Sequence, residues 1–186
     1  MFAAAGPPPC LAYDHHCMSE LDELTALVPP PDDAPPAVDW NAAHGQLGVE
    51  LPADFQALIE RYGGGSIAGL RLLTPGHPNR HVDLLRQVEP QRWALQTLVD
   101  QGIEQPYPPA ELLPWGIDEA GNVVWWHMEH GWPVVANEAR GEDWQRFEGG
   151  ATAFLVAILS GRETSDFLVI EGATFERFAY EPESST

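Results

Sequence analysis

Apolar residues recur with a helical period at several places along the chain, most clearly in the stretch LPADFQALIERYGGG. Its apolar residues fall at i, i+3, i+4 and i+7: Phe55, Leu58, Ile59 and Tyr62. Residues at these spacings share one face of an α-helix, so the pattern predicts a helix with that face buried. Pro52 suits the first turn of this helix, and the glycines at 63–65 supply the conformations that end it.

Two shorter helices are predicted before this one. Ser19 is a suitable N-cap for SELDELTALV, and the prolines at 29–31 stop that helix because they cannot donate its hydrogen bonds. The segment 29–37, PPPDDAPPA, then predicts an extended linker. Asp39 can cap a helix over WNAAHGQL, and Gly48 ends it.

Two more helices are predicted further along the chain. The period is helical over 82–101, with an interruption expected at Pro90 because proline lacks the amide hydrogen of an interior helical residue. The apolar run ATAFLVAILSG, which ends at Gly161, predicts a helix buried against a sheet. The buried side of the 82–101 helix is expected to carry four apolar residues: Trp93, Leu95, Leu98 and Val99.

Strand signals concentrate after the glycine run. The string IAGLRLL predicts one strand directly behind it. The strings WGID, VVWWHM and WPVVAN are separated by the turn sequences EAGN and EHG, and together they predict an antiparallel meander. Residues 143–147 are expected to add a strand, and the tail GATFERFAYEPESST is expected to add an edge strand before it frays.

Charge narrows the class of partner. The chain has 186 residues, the length of one domain, and its nine Lys plus Arg, all of them Arg, face 28 Asp plus Glu for a net charge of -19. Binding to nucleic acid needs cationic side chains that displace counterions from phosphates, so we expect no nucleic-acid partner. No stretch is apolar enough for a membrane span and the first residues lack a signal-peptide pattern, so we expect no membrane partner and a cytoplasmic location.

The pattern divides the chain into three regions. Residues 1–17 lack any apolar period, so we expect them to contribute nothing to folding, and whether translation starts at Met1 or Met18 stays open. The expected regions are a disordered leader with a short helix and Pro-rich linker over 1–37, a globular domain over 38–172, and an edge strand with a frayed tail over 173–186.

The sequence carries no catalytic signature. The GGGS run follows a helix instead of opening one, and the chain has no Lys, so phosphate binding is not indicated. His127, Glu129 and His130 form a metal-like grouping, but the spacing misses H-E-x-x-H and no further ligand stands at a recognisable spacing. We expect no enzyme, no cofactor and no metal. A metal- or small-ligand-binding protein centred on His127, Glu129 and the tryptophans stays as an alternative.

Five tryptophans crowd residues 115–144 and either fill the core or include an aromatic recognition patch. Because neighbours on a strand face opposite sides, Trp125 and Trp126 cannot both enter one core, so one of them is expected at the surface. We place Trp126 in a partner-binding surface. Four carboxylates are expected to form an anionic rim around such an aromatic centre: Glu129, Glu138, Glu142 and Asp143.

Two stretches, LGVELPADFQALIERYGGG and LLPWGIDEAGNVVWW, resemble the signature stretches of the SUKH superfamily, which includes the yeast Smi/Knr-type cell-wall assembly regulators. In that family a Leu-Pro pair opens a helix that ends at a Gly-rich turn, and a Gly-x-Asp with a following turn Gly precedes a strand. The residues that match these motifs are Leu51, Pro52, Tyr62, Gly63, Gly64, Gly116, Asp118 and Gly121.

The resemblance implies an α+β fold with a small mixed, largely antiparallel sheet flanked by helices, and it brings no catalytic residues. Bacterial members are similar to immunity proteins, which bind and block a cognate toxin. The resemblance therefore implies a protein toxin as the partner, and the charge of -19 suits a basic one such as a cationic nuclease. A regulatory scaffold similar to the yeast members is the other alternative.

Overall fold

The computed structural model describes residues 19–128, 131–139 and 142–180. This part of the chain forms five α-helices and a short 3-10 turn at Pro109–Glu111. The helices are α1 (Glu20–Leu27), α2 (Trp40–Leu47), α3 (Ala53–Tyr62), α4 (Leu84–Asp100) and α5 (Ala151–Leu159). The strands are β1 (Gly65–Ile67), β2 (Leu70–Leu72), β3 (Leu112–Ile117), β4 (Val123–His127), β5 (Val134–Asn137), β6 (Trp144–Phe147) and β7 (Phe175–Arg177).

The described strands form one sheet in the order β6-β5-β4-β3-β2-β1-β7, and each neighbouring pair of these strands is antiparallel. The meander predicted from the turn sequences is confirmed as β3, β4 and β5, and the strand expected over 143–147 is confirmed as β6. The strand predicted in the tail is confirmed as β7, which pairs with β1 at the edge of the sheet. The α+β fold class is therefore confirmed.

Local capping chemistry sets the helix ends that the sequence predicts. The Ser19 side chain accepts a hydrogen bond from the Asp22 backbone amide, and the Asp22 carboxylate accepts one from the Ser19 backbone amide, which completes a capping box for α1. Asp39 caps α2, and Gly48 ends it in the left-handed conformation. Helix α1 packs on α5, and Leu24 joins the same hydrophobic cluster as the sheet.

Helices cover both faces of the sheet, and this decides where the paired tryptophans lie. Trp126 packs under α3, with its ring perpendicular to that of Phe55 at a centroid distance of 4.8 Å. Trp125 faces the opposite side, where it lies beside residues of α4. Both indoles are buried, so the expectation that one of them is exposed is wrong. Neighbours on a strand do face opposite sides, but here each side has its own helical layer.

The segment predicted as one strand after the glycine run is a hairpin. Strands β1 and β2 pair with Ile67 opposite Leu70, so only Ala68 and Gly69 connect them. Both connecting residues have positive φ, 50° and 89°, as a two-residue hairpin turn requires. The single-strand prediction failed because Ala gives no turn signal. The Ala68 amide donates to Thr174 at 2.8 Å, a contact with the tail that local sequence does not reveal.

Helix α4 departs from its prediction in two ways. It runs without a break through Pro90, which is exposed, so water can solvate the carbonyl that proline leaves without a helical donor. Leu95 is buried as predicted, but Trp93 is 71% exposed and Val99 is 37% exposed. Residues two apart on a helix lie about 200° apart around its axis, so Trp93 and Leu95 cannot share a face.

Candidate functional site

Trp126, the predicted centre of a binding surface, lies in the core. Its exposed fraction is 0%, and its ring stacks on Trp115 at a centroid distance of 5.7 Å in addition to its contact with Phe55. The side chain therefore presents no surface to a partner. Its role is to fill the space between the sheet and α3.

Three of the four carboxylates predicted to form a rim belong to one connection. Glu138, Glu142 and Asp143 all lie between β5 and β6. Because Val123 pairs with Asn137, Glu138 follows β5 at the end of the sheet where the β3–β4 turn lies. Glu129 and His130 lie outside the described residues, so a rim that includes Glu129 stays a prediction.

A buried polar network fixes the sheet end that carries these carboxylates. Asp118, one of the family-motif residues, is 2% exposed, and its carboxylate accepts hydrogen bonds from the backbone amide of Asn122 at 2.9 Å and its side-chain amide at 2.8 Å. The same carboxylate accepts one from the Val169 amide at 2.9 Å. The side chain of Asn122 also donates to the Phe167 carbonyl and accepts from the Ala139 amide. Three separate segments are thus joined here.

An open apolar groove of about 320 Å³ lies between α4 and the sheet, beside this network. Leu98 and other α4 residues form one wall, and Trp93 stands at its lip. Val123, Trp125 and Asn137 contribute from the sheet, and Ala139 from the β5–β6 connection. The groove combines apolar lining with a few polar groups, which is typical of binding sites.

Acidic residues belong to the connections at this end of the sheet, although none of them lines the groove. Glu138 is half-buried, Glu119 is exposed, and the exposed Asp143 lines a separate depression with Thr164 and Phe167. The Glu138 amide donates to the Asp143 carbonyl at 3.0 Å, which holds the two ends of the β5–β6 connection together. Arg140 belongs to the same connection but lies outside the described residues, and residues 138–143 carry three carboxylates against this one cation.

Sequence reasoning missed Trp93 as a candidate site residue. The signal was present, because Trp93 precedes Leu95 by two positions and so points away from the face that Leu95 buries. The prediction over 82–101 treats the apolar residues as one broad face. A narrower face through Leu84, Val88 and Leu95, the buried residues of α4, leaves Trp93 in solvent.

The metal-like grouping is only partly described. Nε2 of His127 lies 3.2 Å from a carboxylate oxygen of Glu111, and the ring packs against Tyr107 at a centroid distance of 4.9 Å. Within residues 19–128, 131–139 and 142–180, no group of three or more His, Cys, Asp or Glu side chains could hold a metal ion. The metal alternative thus gains no support from the described side chains.

The Gly-rich turn of the family motif is a point of close contact between distant segments. A Cβ atom on Gly63 would lie 2.7 Å from Cβ of Pro35 in the linker. A Cβ atom on Gly64 would lie 2.7 Å from Cδ2 of His77. The Gly64 amide donates to the hydroxyl of Tyr180 in the tail at 2.8 Å. Glycine is needed here because three other segments approach the backbone, as well as for ending α3.

The other motif residues also make contacts within the fold. Leu51 is 2% exposed in the core, and Pro52 is the N-cap of α3. Gly116 lies at an irregularity in the β3–β4 pairing, where a Cβ atom would be 3.2 Å from the Leu70 side chain. Gly121 has a φ of +91° in the β3–β4 turn. These positions maintain the architecture.

Together, an antiparallel sheet covered by helices on both faces and motif residues engaged in turns and close contacts define an α+β domain. The family model SUKH_6, described as SMI1-KNR4 cell-wall, matches residues 38–155, more than half of the chain. The chain therefore belongs to the SUKH family. This family is generally non-catalytic, and its domain is consistent with an immunity-protein-like role. Neither a curated protein nor a solved structure matches the chain.

Among the described residues, no helix combines the length and apolar character needed to cross a bilayer.

Proposed function

We propose that this chain is a non-catalytic immunity protein that binds and neutralises a cognate, basic protein toxin in the cytoplasm. Family membership supports a protein partner. The observation that carries the proposal toward a basic partner is the charge, since 28 acidic residues face nine Arg for a net charge of -19.

The charge acts before contact. A strongly negative protein attracts a positive partner over roughly the Debye length, about 10 Å at 0.1 M salt, and this raises the association rate. The effect falls as salt screens the charges. A cationic nuclease is a suitable partner because its own nucleic-acid site must be positive, and an acidic protein that occludes that site blocks its substrate.

The test uses toxin-like proteins encoded beside the gene for this chain. Co-expression should restore the growth of cells that make the toxin, and the purified proteins should associate at least about tenfold faster in about 50 mM salt than in about 300 mM salt. A basic protein of similar charge that is no toxin serves as the control for non-specific attraction. Neighbouring toxins that kill cells equally with and without this chain, and that do not bind it, would contradict the proposal.

A regulatory scaffold is the second candidate, and the cell-wall description of the family model favours it. Capture of a signalling protein from the native cell, with no binding to neighbouring toxins, would support the scaffold over the immunity protein.

A further inference from the structure

The tail segment, residues 171–180, covers the edge of β1 with main-chain hydrogen bonds. Strand β7 pairs with β1 over three residues. The pairing continues on both sides of these strands. The Phe178 amide donates to the Gly64 carbonyl at 3.1 Å, and the Ala68 amide donates to the Thr174 carbonyl at 2.8 Å. Addition of a strand is a general way in which a sheet edge binds an extended peptide, because the main chain supplies affinity and pockets select alternate side chains.

Two aromatic side chains of the tail segment fit places prepared by the domain. The Phe175 ring packs on Tyr62 at a centroid distance of 5.2 Å, and a Cβ atom on Gly65 would lie 2.5 Å from that phenylalanine. Glycine at position 65 therefore leaves room for an aromatic side chain. The Tyr180 hydroxyl accepts a hydrogen bond from the Gly64 amide at 2.8 Å.

A third place binds a cation. The guanidinium of Arg177 forms an ion pair with the Asp33 carboxylate and donates to the Asp33 carbonyl at 3.0 Å. It also donates to the Tyr62 carbonyl at 3.3 Å, at the C-terminal end of α3, where the helix carries partial negative charge. Only 16% of the Arg177 side chain is exposed. A carboxylate and two carbonyls thus select a positively charged side chain here.

The tail segment is less firmly integrated than the surface it covers. None of residues 161–180 is buried, whereas Tyr62 and Ile67, which face the tail segment, are 0% exposed. The family model ends at residue 155, so the tail segment is an addition to the matched domain. Segments with little buried surface open at a low cost in free energy.

Two buried polar atoms beside Tyr180 gain no hydrogen bond from the tail segment. They are Oγ1 of Thr74 and Nε2 of His77, and within the described part of the chain neither has a partner. Because Nδ1 of His77 accepts a hydrogen bond from the Asn79 amide at 3.1 Å, Nε2 carries the hydrogen of the neutral ring. A buried donor without an acceptor disfavours the covered arrangement, so the tail segment is replaceable.

We propose that the edge of β1 and the glycine turn form a strand-docking site for the basic toxin, which the tail segment occupies until the toxin binds. An extended strand of the toxin replaces the tail segment, with an aromatic residue in the place of Phe175 and an Arg in the place of Arg177. Charge complementarity supports this occupant, because the place beside Asp33 takes a cation. The inference rests on the proposed function, since it names the surface through which the toxin is held.

The first experiment needs no toxin and uses a fluorescent peptide with the sequence of residues 172–180. The wild-type chain should bind it weakly, because its own tail segment competes at an effective concentration on the order of millimolar. Arg177→Gln in the full chain should bind the peptide at least about tenfold more tightly, since the change loosens the chain's own tail segment and leaves the site intact. Tyr180→Phe, a milder change, should act in the same direction. Glu176→Gln, at an exposed side chain of the tail segment, is the matched control and should equal the wild type.

A change in the site itself completes this experiment. Asp33→Asn added to Arg177→Gln should weaken peptide binding about threefold or more, because the arginine of the peptide loses its carboxylate partner. Thermal melts confirm that each variant folds. Peptide binding that neither Arg177→Gln nor Tyr180→Phe strengthens, or that Asp33→Asn leaves unchanged, would overturn the strand-docking site.

The second experiment uses the toxin and separates the two proposals. Arg177→Gln should bind the toxin at least about threefold more tightly than the wild type, and an excess of the peptide should compete with the toxin. Equal toxin binding by both proteins, without competition, overturns the strand-docking site and leaves the immunity function standing. No toxin binding, together with tight peptide binding by Arg177→Gln, overturns the immunity function while supporting the strand-docking site.

Discussion

The carboxylate of Asp118 accepts a hydrogen bond at 2.9 Å from the backbone amide of Val169, 51 positions later in the chain. It thereby fastens the segment after α5 to the turn between β3 and β4. The turn also carries Asn122, which holds the Ala139 amide beside the groove. A buried family-motif residue thus orders a wall of the candidate binding site.

Replacing Asp118 by Ala should therefore destabilise the protein. The change leaves the amides of Asn122 and Val169 without their buried acceptor, and we expect a loss of about 2–4 kcal/mol in the free energy of unfolding. Urea denaturation measures it. Glu119→Gln, at the exposed neighbouring carboxylate, should stay within about 0.5 kcal/mol of the wild type. Equal effects of the two changes would contradict the role assigned to Asp118.

Truncation of two tryptophans should change stability by very different amounts. Trp126→Ala empties a fully buried position against Phe55 and Trp115, so the free energy of unfolding should fall by about 3–5 kcal/mol. Trp93→Ala removes a side chain that is 71% exposed, and should change stability by no more than about 0.5 kcal/mol. Chemical denaturation compares the two. A large loss for Trp93→Ala would mean that this indole supports the fold, and its exposure would then indicate no binding role.

Two glycine-to-alanine changes should shift the free energy of unfolding in opposite directions. Gly64→Ala places a Cβ atom 2.7 Å from the His77 ring and should cost about 1–3 kcal/mol through overpacking. Gly45→Ala lies inside α2, where nothing stands within 4 Å of the new atom, and should stabilise by about 0.5–1 kcal/mol because alanine favours the helix. Differential scanning calorimetry on both variants tests the pair. Stabilisation by Gly64→Ala would show that the tail and the 74–81 loop do not press on the glycine turn.

His77 should make stability depend on pH. Burial lowers the pKa of its ring below the ordinary 6.5, an effect that the carboxylate of Asp83 opposes without reversing. The unfolded state then binds the proton more readily, so stability is full above pH 6.5 and falls as pH drops below that value toward the folded-state pKa. The His77 ring also packs against the ring of Tyr180 at a centroid distance of 4.4 Å. The tail should therefore loosen over the same pH range.

Unfolding free energies measured between about pH 7.5 and about pH 5.5 give the change of stability with pH. His77→Gln should show a shallower fall than the wild type over this interval. His81→Gln, at an exposed histidine in the same loop, serves as the control and should match the wild type. A slope that His77→Gln leaves unchanged would assign the pH dependence to other groups.

Much of the secondary structure is determined by residues that are close together in the sequence. Ser19 and Asp39 cap helices through their own neighbouring amides, and Phe55 with its partners at helical spacing marks α3. The turn sequences between β3, β4 and β5 set the meander because two-strand connections this short force antiparallel pairing. The two motif stretches also mark the family to which the chain belongs.

The candidate site was not predictable in the same way. Period 2 shows that Trp125 and Trp126 face opposite sides, but whether a side is covered depends on α3 and α4, which are distant in the chain. The sequence likewise places Glu138 soon after Val134 and Val135 without showing at which end of the sheet the connection lies. Register decides that, because each turn of the meander reverses the direction of the chain.

The sequence by itself determined the charge, the helix caps, the glycine turn and the order of the central strands, since each depends on residues within a few positions of one another. Only the tertiary structure decided that Gly64 must accommodate His77 and Tyr180, that Asp118 reaches Val169, and that Trp93 is left at the lip of a groove. These depend on packing between segments far apart in the chain, where burial is set by which surfaces meet and not by local period.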